Sequence, residues 1–319
     1  MSELTVRSLQ SGDLDRVAAI ESRIAGQPRR GFLEKRFSDA AVDPENHLAC
    51  GVTDLDQLKG YAFARLQTGA FATRDAVAVL DVIGVDPAAQ GQGIGKLLMR
   101  EIEARLLARA IGRLKTQVEW ANHGMVQFFA SHGFRLSPFQ VIERDTAPLD
   151  EKVSATIHGQ GDHEGDPSDL SRDRVPVRSL GEADLAEVVR LDRKLTGRDR
   201  STYYSAKFRE MLAGAGIRVS LVAEAEGALT GFIMARVDFG EFGKVERTAV
   251  MDAIGVHPAF TGYGIGHALL SQLLLNLSTL QVDFVRTQVS PENLDLSRFL
   301  HACGFHQSQQ LVLIKTIPS

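Results

Sequence analysis

The sequence predicts an α/β protein made of two copies of one mixed sheet. A segment of thirteen residues that begins at Ile83 returns at Ile254 with nine positions identical. The matches on either side, such as Gly133 with Gly304, keep the same offset in residue number. Within each copy, runs with strand and helix periodicity follow one another along the chain. Two copies of domain size are typical of tandem globular domains and not of a stacked solenoid.

The first copy begins with a strand and a helix. Residues 4–9 form a short segment in which apolar residues alternate with others, and this pattern predicts a strand. Ser11-Gly12-Asp13 is a typical helix start, and apolar residues at helical spacing follow it over 14–21. Two apolar runs at 47–52 and 60–67 are separated by polar residues, which is the pattern of an antiparallel hairpin.

The second half of each copy is organised around a long apolar strand. Residues 76–85 form a nearly continuous apolar run, typical of a strand covered on both faces, with Asp81 as its polar interruption. A glycine-rich turn and an amphipathic helix over 96–110 come next. The remaining predicted elements are a strand at 114–120, a helix at 123–131 and a final strand at 136–144.

We predict two domains, 1–146 and 175–319, joined by a polar linker at 147–174. Each domain carries equal numbers of basic and acidic residues, whereas the linker has 3 basic and 7 acidic ones and so accounts for the net charge of −4. The linker is interrupted by Gly and Pro and is too polar to bury a core. Its His158 and His163 match no zinc spacing, so a solvated linker is favoured over a metal site.

Composition also excludes several classes of function. Neither domain has the basic surface that nucleic acid requires. No stretch approaches the roughly 18–20 apolar residues of a membrane helix, and the first residues lack a signal-peptide pattern. We therefore expect a cytoplasmic protein that binds neither nucleic acid nor membrane. Cys50 and Cys303 lie opposite Leu221 and His132 of the other copy, so both cysteines are predicted to be structural.

The turn after the long strand has the pattern QxxGxG from Gln90 to Gly95. It is not a Walker loop, because Lys96 is followed by Leu97, and no register of it fits GxGxxG. A helix that begins at such a turn presents free amides and a partial positive charge, which favour an anion. Glycine allows a phosphate to approach the backbone, so a side chain at Gly93 or Gly95 should block it. The alternative is that the glycines only permit tight strand-to-helix packing.

Together with Val85-Asp86-Pro87, Asn122 and Gly133-Phe134, this turn resembles the GNAT superfamily of N-acetyltransferases, and the resemblance extends over both copies. It implies a mixed sheet whose fourth and fifth strands splay apart, with acetyl-CoA or another acyl-CoA as co-substrate in the gap and no metal. It further implies that the pantetheine arm pairs with the backbone of residues 83–85 and the pyrophosphate with the amides of residues 90–96.

The cofactor-binding residues implied by the resemblance are, in the first copy, Ile83, Gly84, Val85, Gln90, Gly91, Gln92, Gly93, Ile94, Gly95, Lys96, Asn122 and Phe129. In the second copy they are Ile254, Gly255, Val256, Thr261, Gly262, Tyr263, Gly264, Ile265, Gly266, His267 and Asn293. Thr261 replaces Gln90 while the three glycines persist. We therefore expect both copies to bind the coenzyme through their backbones.

The resemblance places the candidate catalytic bases at Asp81 and Asp252. A carboxylate alone in an apolar strand is a stronger base than one in water, which suits this role. The alternative is a buried aspartate that bonds neighbouring backbone. The tyrosine that commonly protonates the leaving thiolate is replaced by Phe129 and Leu300. A coenzyme A thiol has an ordinary pKa near 8.5 and can leave unassisted; the possible substitutes are His123, His132 and His301, each of which otherwise is a solvent-facing helix residue.

Acceptor recognition is predicted on segments that combine arginine with aromatic residues. The candidates are Arg29, Arg30 and Phe32 in the first copy, Arg198, Arg200 and Tyr203 in the second, and Trp120, which has Pro291 opposite it. Such a set fits a carboxylate-bearing acceptor; a solvated helix cap with core aromatics is the alternative.

We therefore expect an N-acetyltransferase that transfers an acetyl group to a primary amine of a small molecule or protein by direct attack on the thioester. The rival hypothesis is a module that binds acyl-CoA without chemistry. A domain that only mediates protein contacts explains the two glycine turns poorly.

Overall fold

The computed structural model describes residues 4–26, 29–67, 77–149, 175–213, 219–225, 227–239 and 247–318. Over these residues the chain forms two mixed sheets of seven strands each. The predicted α/β class and its duplication are confirmed. Residues 150–174, most of the predicted linker and both of its histidines, lie outside the described residues.

Ten of the eleven helices and strands that the first copy supplies in the described part of the chain precede its last strand. They are β1 (Leu4–Ser8), α1 (Leu14–Ala25), α2 (Arg30–Val42), β2 (His47–Asp54), β3 (Gln57–Gln67), β4 (Val77–Val85), α3 (Ile94–Leu107), β5 (Arg113–Glu119), α4 (His123–Ser131) and β6 (Arg135–Leu136). Helix α2 is an element that the sequence analysis did not predict. The predicted strand at 136–144 is divided, because its second part, β7 (Gln140–Asp145), lies in the other sheet.

The second copy repeats this order. Its described elements are β8 (Val177–Ser179), α5 (Leu185–Thr196), α6 (Ser201–Ala213), β9 (Leu221–Ala225), β10 (Ala228–Phe239), β11 (Arg247–Val256), α7 (Ile265–Thr279), β12 (Phe284–Val289), α8 (Leu294–Ala302), β13 (His306–Gln307) and β14 (Gln310–Thr316).

Two apolar clusters cover the two faces of the first sheet. On one face, Leu98 and Ile102 of α3 pack with Phe129 of α4 against the strands. On the other, Val17 and Ile20 of α1 lie over Tyr61, Phe63 and further apolar residues of the strands. Each fully buried side chain of this size contributes about 1.5–3 kcal/mol to stability. Both faces of β4 are thus covered, as its apolar run predicts.

Each sheet is forked. Strands β4 and β5 are parallel and pair only at Ala78↔Leu114 and Val79↔Lys115, although β4 continues to Val85. Beyond the last pair, the hydroxyl Oγ1 of Thr116 donates to the carbonyl oxygen of Leu80 at 2.9 Å. The strands then separate, which leaves the edge of β4 facing β5 without a ladder partner.

The second sheet has the same fork. Strands β11 and β12 pair at three positions, the last of them Val250↔Arg286. The hydroxyl of Thr287, at the place of Thr116, donates to the carbonyl oxygen of Met251 at 2.9 Å. The splayed strands implied by the family resemblance are therefore present in both sheets.

The last strand of each copy lies in the sheet of the other copy. Strand β7 pairs antiparallel with β12, from Gln140↔Val289 to Asp145↔Phe284. Strand β14 pairs with β5, from Gln310↔Glu119 to Thr316↔Arg113. The chain accordingly passes from the first compact unit to the second between Pro138 and Phe139, and it returns to the first between Ser308 and Gln309.

This exchange differs from the predicted domains 1–146 and 175–319, which keep each last strand with its own copy. The reason is the duplication itself. Val141 and Ile142 of β7 are matched by Val312 and Leu313 of β14, so both strands carry the same apolar pattern. Either strand therefore fits the place beside β5 or β12, and the pattern alone does not select between the two sheets.

Both cysteines are free and buried, in agreement with a structural role. Burial raises the pKa of the Cys50 thiol to about 12 and that of Cys303 to about 11. Since the thiolate is the reactive form, we expect neither cysteine of the folded protein to react with iodoacetamide at about pH 8. Mass spectrometry should find both alkylated in denaturant; alkylation of either one under native conditions contradicts its burial.

Two kinds of feature are missing from the described residues. None of their helices has both the length and the apolar character needed to cross a membrane. No group of three or more His, Cys, Asp or Glu side chains in the described part of the chain is placed to hold a metal ion.

Candidate functional site

The first glycine turn joins β4 to α3 at the mouth of the fork. A short 3-10 turn, Pro87–Ala89, begins at Asp86, whose Oδ1 accepts the amide of Ala88 at 3.2 Å. Gly91 and Gly93 follow with φ angles of +78° and +81°, a conformation that favours glycine. Gly93 is the N-cap residue of α3, and no side chain caps the helix there.

The space in front of this helix start is open. A Cβ atom built on Gly91 or Gly93 meets no other heavy atom within 4 Å. Gln90, Gln92 and Lys96 are exposed around the turn, whereas Ile94 is buried in the core. The turn therefore presents uncapped amides, with room for an anion at the positive end of the helix dipole.

Gly95 has a different role from the one predicted. Its φ is not positive, and a Cβ there would lie 2.9 Å from Cε2 of Phe128 on α4. In the second copy, a Cβ on Gly266 would lie 3.3 Å from Cζ of Phe299. The third glycine of each turn thus permits close packing of two helices, whereas Gly91, Gly93 and Gly262 face open space.

The second turn keeps the backbone of the first. Gly262 and Gly264 have φ angles of +88° and +75°, and Gly264 is the N-cap residue of α7. Thr261 and Tyr263 are exposed, and Ile265 is buried in the core. The replacement of Gln90 by Thr261 therefore changes a side chain and leaves the amides in place. His267 is buried where the first copy has the exposed Lys96.

The other predicted cofactor-binding residues divide into two groups. Ile83 and Val85 of β4, like Ile254 and Val256 of β11, pack against the core and line the fork with their backbones. Gly84 and Gly255 are the residues between them, and a Cβ on either would lie within 3 Å of an aromatic ring of the preceding strand.

The second group lies at α4 and α8. Asn122 and Asn293 begin these helices, and their Oδ1 atoms accept the amides of Met125 at 3.1 Å and Leu296 at 3.2 Å. Phe129 is placed differently from its prediction. Its ring is 2% exposed and packs edge-on against Phe128 and Phe134, so it belongs to the core and not to the surface of the fork.

Asp81 is not the isolated carboxylate that the sequence suggests. It sits at a register shift between β3 and β4, and its side chain is 1% exposed. Arg65 Nε donates to Oδ1 at 3.0 Å, and Arg36 Nη1 lies 3.5 Å from Oδ2. Both alternatives in the sequence analysis are therefore wrong about its partners, which are arginine side chains and not apolar residues or backbone.

Asp252 repeats this arrangement in the second copy. Lys207 Nζ and Arg236 Nε each lie 3.4 Å from its Oδ2. In the alignment of the two copies, these cations take the positions of Arg36 and Arg65. The side chain of Asp252 is 13% exposed, so it is less deeply buried than Asp81.

Substitution of Asp81 by Asn should destabilise the first unit. The change keeps the shape and one hydrogen-bond acceptor but leaves two cations beside a neutral amide. A hydrogen bond between charged groups is worth about 1.5–3 kcal/mol, so we expect a loss of about 2 kcal/mol in the free energy of unfolding. Chemical denaturation measures it, with Asp252→Asn, which lies in a more exposed cluster, as the control. An equal or larger loss for Asp252→Asn contradicts this account.

Four of the seven predicted acceptor residues lie in two clusters below the surface, and two of these four, Arg29 and Arg200, form ion pairs there. Arg29 Nε donates to Glu21 Oε1 at 2.7 Å, and its guanidinium lies 5.0 Å from the centre of the Phe32 ring. In the second copy, Arg200 Nη1 donates to Asp192 at 2.9 Å. In the first copy the cluster joins α1 to α2, and in the second copy it joins α5 to α6.

Tyr203 completes the second cluster. Its ring is 4% exposed, and the Arg200 guanidinium lies 4.8 Å from its centre. Burial raises the pKa of Asp192 above its ordinary value, although Tyr204 and Arg200 oppose this effect. The aromatic residues are therefore core residues, as the alternative hypothesis held. The arginines Arg29 and Arg200, however, are paired with acids below the surface and are not solvated caps.

Three predicted acceptor residues remain at the surface. Arg30 contacts Asp15 and Glu34, each at 2.9 Å, and Arg198 is exposed. Trp120 follows β5, the other wall of the first fork, and its ring is 53% exposed while its indole N–H donates to Gln309. A wall residue of the fork is the best placed of the three to meet an acceptor.

Two of the three histidines proposed as substitute acids contact backbone carbonyl oxygens. His132 Nδ1 lies 2.7 Å from the carbonyl oxygen of Phe128, and His301 Nδ1 lies 2.9 Å from that of Phe305. His123 lies beside Trp120, with ring centres 6.4 Å apart.

The basic residues around Asp81 and Asp252 were not predicted from the sequence. A usable signal was present, because Arg65 and Arg236 are charged residues at matching positions of two apolar strands.

A mixed sheet that forks beside an uncapped helix start combines an open strand edge with a place that favours an anion. In this protein both sheets have that form. The chain belongs to the acetyltransferase (GNAT) family, whose model matches residues 14–134 and 185–305. The offset between the two matches equals that of the internal repeat.

Comparison with known proteins supports the same family. A mycothiol acetyltransferase from Nocardioides sp. (strain ATCC BAA-499 / JS614) is 27% identical over 146 residues, which cover 41% of this chain and 50% of that protein. The match thus spans about half the length of this relative.

Solved structures share the fold over the whole chain. A tandem GNAT protein from the clavulanic acid biosynthesis pathway has a TM-score of 0.66 at 18% identity, with 99% of each chain covered. A GCN5-related N-acetyltransferase from Sphaerobacter thermophilus has a TM-score of 0.61 at 16% identity, covering 99% of this chain and 96% of the other. At these identities the likeness concerns the fold alone.

Proposed function

We propose that this protein transfers an acetyl group from acetyl-CoA to a primary amine. The observation that carries the proposal is the fork with an open glycine turn at its mouth, present in both sheets. Family membership supports it, since the matched family is one of acetyltransferases.

The fork and the turn have separate tasks in this proposal. The amides around Gly91 and Gly93 bind the pyrophosphate, because they are uncapped and lie at the positive end of α3. The edge of β4 beyond Val79 lacks a ladder partner and pairs with the pantetheine arm. The thioester is thereby held between β4 and β5.

In the transfer step a neutral amine attacks the thioester carbon. The N–C bond forms, the C–S bond breaks and the electron pair leaves with sulfur as the coenzyme thiolate. The proton lost by the amine goes to water or, in the second half, through water to Asp252, whose side chain is 13% exposed. Asp81 is 1% exposed and lies between two arginines. We therefore assign it the role of holding the side chains of Arg36 and Arg65 in place.

A second candidate function is a module that binds acyl-CoA without transfer. Two observations favour it: Phe129 and Leu300 stand where the family resemblance implies a proton-donating tyrosine, and the carboxylates of both copies are held by cations. In this case the turns bind ligand as proposed, but no acceptor completes the reaction.

Calorimetry with acetyl-CoA, followed by an assay of free thiol in the presence of amines, separates these proposals. The amines are an amino sugar, an aliphatic diamine and a peptide with a free N-terminus. Binding together with amine-dependent thiol release supports the transferase. Binding with no release from any amine supports the module. If the protein binds no acetyl-CoA, both proposals are refuted.

A further inference from the structure

Two buried tyrosine hydroxyls of this protein differ in their surroundings. The hydroxyl of Tyr204 donates to Oδ1 of Asp192 at 2.7 Å. The hydroxyl of Tyr61 is equally enclosed, yet it has no hydrogen-bond partner in the described part of the chain. Leaving a buried hydroxyl without a partner costs stability, so such a group in a native fold calls for an explanation.

The hydroxyl of Tyr61 lies over the strand that forms one wall of the first fork. Tyr61 is in β3 and pairs with Gly84 of β4. A Cβ atom on Gly84 would lie 2.8 Å from Oη and 2.6 Å from Cε1 of Tyr61. The phenol therefore occupies the space of the side chain that Gly84 lacks. At this position β4 has already separated from β5, since their last pair is Val79↔Lys115.

The hydroxyl is also on a definite face of the sheet. Ile83 and Val85 point to the core on the side of α3, where the glycine turn ends. Tyr61 belongs to the cluster on the side of α1, together with Val82. In the proposed function the pantetheine arm pairs with β4 beyond Val79, so the carrier passes Gly84, over which the phenol lies.

The second copy lacks this hydroxyl. Phe232 takes the position of Tyr61 in the second copy, and a Cβ on Gly255 would lie 2.8 Å from its Cε1. The ring and the glycine are therefore retained at the second fork without the hydroxyl, and Cδ1 of Leu195 also lies 2.8 Å from the Cβ position of Gly255. Packing alone needs only the ring, which both copies have.

We propose that the Tyr61 hydroxyl donates a hydrogen bond to the carbonyl oxygen of the thioester bound in the first half. This inference rests on the proposed function. As the amine adds, that oxygen gains negative charge; when the C–S bond breaks, the carbonyl re-forms and the hydroxyl keeps its proton. A fixed donor to such an oxygen typically contributes about 10²–10³ in kcat. The first half therefore contains a donor that the second half does not.

Tyr61→Phe tests the inference in a protein whose second turn is blocked by Gly264→Glu. The probes are acetyl-CoA and free CoA, which lacks the carbonyl. A hydrogen bond of ordinary strength predicts that Kd for acetyl-CoA rises about fivefold while Kd for CoA is unchanged. The infrared band of a ¹³C-labelled acetyl carbonyl should move to higher frequency in the variant, and amine-dependent thiol release should fall about 100-fold.

Melting temperatures exclude a merely structural role. Tyr61→Phe removes an unpartnered hydroxyl, so the unliganded variant should melt no lower than its parent, whereas Tyr204→Phe, which breaks the bond to Asp192, should melt lower. An unchanged ratio of the two Kd values with an unmoved carbonyl band overturns the inference. A lower melting temperature of Tyr61→Phe, or an equal loss of CoA affinity, also overturns it. If the parent binds no acetyl-CoA, the proposed function itself fails, and that measurement precedes the others.

Discussion

Truncation of the chain after Ser308 is expected to unfold the unit that contains the first copy, although the deleted residues follow the second copy in sequence. Strand β14 lies between β5 and β6 in the first sheet. Its Val312 and Leu313, and Ile317 just beyond it, are 1%, 6% and 6% exposed. Three such side chains contribute about 1.5–3 kcal/mol each, which together approaches the whole stability of a typical domain, about 5–15 kcal/mol.

A pair of substitutions tests this exchange without shortening the chain. Leu313 of β14 and Ile142 of β7 are matching positions of the two copies, and both are buried. Leu313→Asp places a charge in the first core and should reduce hydrogen-exchange protection in α3 and β5. Ile142→Asp should do so in α7 and β12. Native-state exchange with mass spectrometry measures both.

The opposite pattern would show that each strand remains with its own copy. In that case Leu313→Asp loosens α7 and Ile142→Asp loosens α3, and the strand order described here is wrong. Leu55→Asp is a suitable control, because Leu55 is an exposed apolar residue in the turn between β2 and β3 and should tolerate the charge.

Gly93→Glu should remove acetyl-CoA binding at the first turn. Gly93 has a φ of +81°, and a residue with a Cβ pays about 1–2 kcal/mol in that conformation. The carboxylate also projects into the open space at the start of α3 and repels the pyrophosphate there. We expect Kd at this site to rise at least about 100-fold, or about 2.7 kcal/mol.

The control places a glutamate at a glycine outside the turns. Gly112 is exposed before β5, its φ is not positive and a Cβ there meets nothing within 4 Å. Gly112→Glu should leave both affinity and stability unchanged. Calorimetry of Gly93→Glu, Gly264→Glu and the double variant should show the loss of one site, the other site and both. Undiminished binding by the double variant places the ligand away from the turns and refutes the proposed function.

The sequence predicted those features of the structure that depend on residues close together along the chain. The glycines at 91, 93, 262 and 264 have positive φ because a helix begins there after a tight turn. Asn122 and Asn293 begin the helices that their spacing indicates. The long apolar run over β4 is buried on both faces, and the internal repeat by itself establishes two copies of one fold.

Prediction was weakest for polar side chains inside the fold. Asp81 appears isolated in its own strand, yet Arg65 comes from the neighbouring strand and Arg36 from α2. Arg29 and Phe32 look like a recognition segment, but Glu21 of α1 draws the arginine below the surface. In each case the deciding partner lies on another element, so the chemistry of the residue depends on a contact that its own segment does not encode.

The amino-acid sequence by itself determined the duplication, the α/β class and the two turns, because these follow from the internal repeat, from local periodicity and from the backbone freedom of glycine. Tertiary structure alone decided which sheet receives each final strand and which hydroxyl stands over the fork. Both outcomes arise from pairing between distant segments: β7 and β14 carry interchangeable apolar patterns, and Tyr61 reaches β4 only because Gly84 lies beside it.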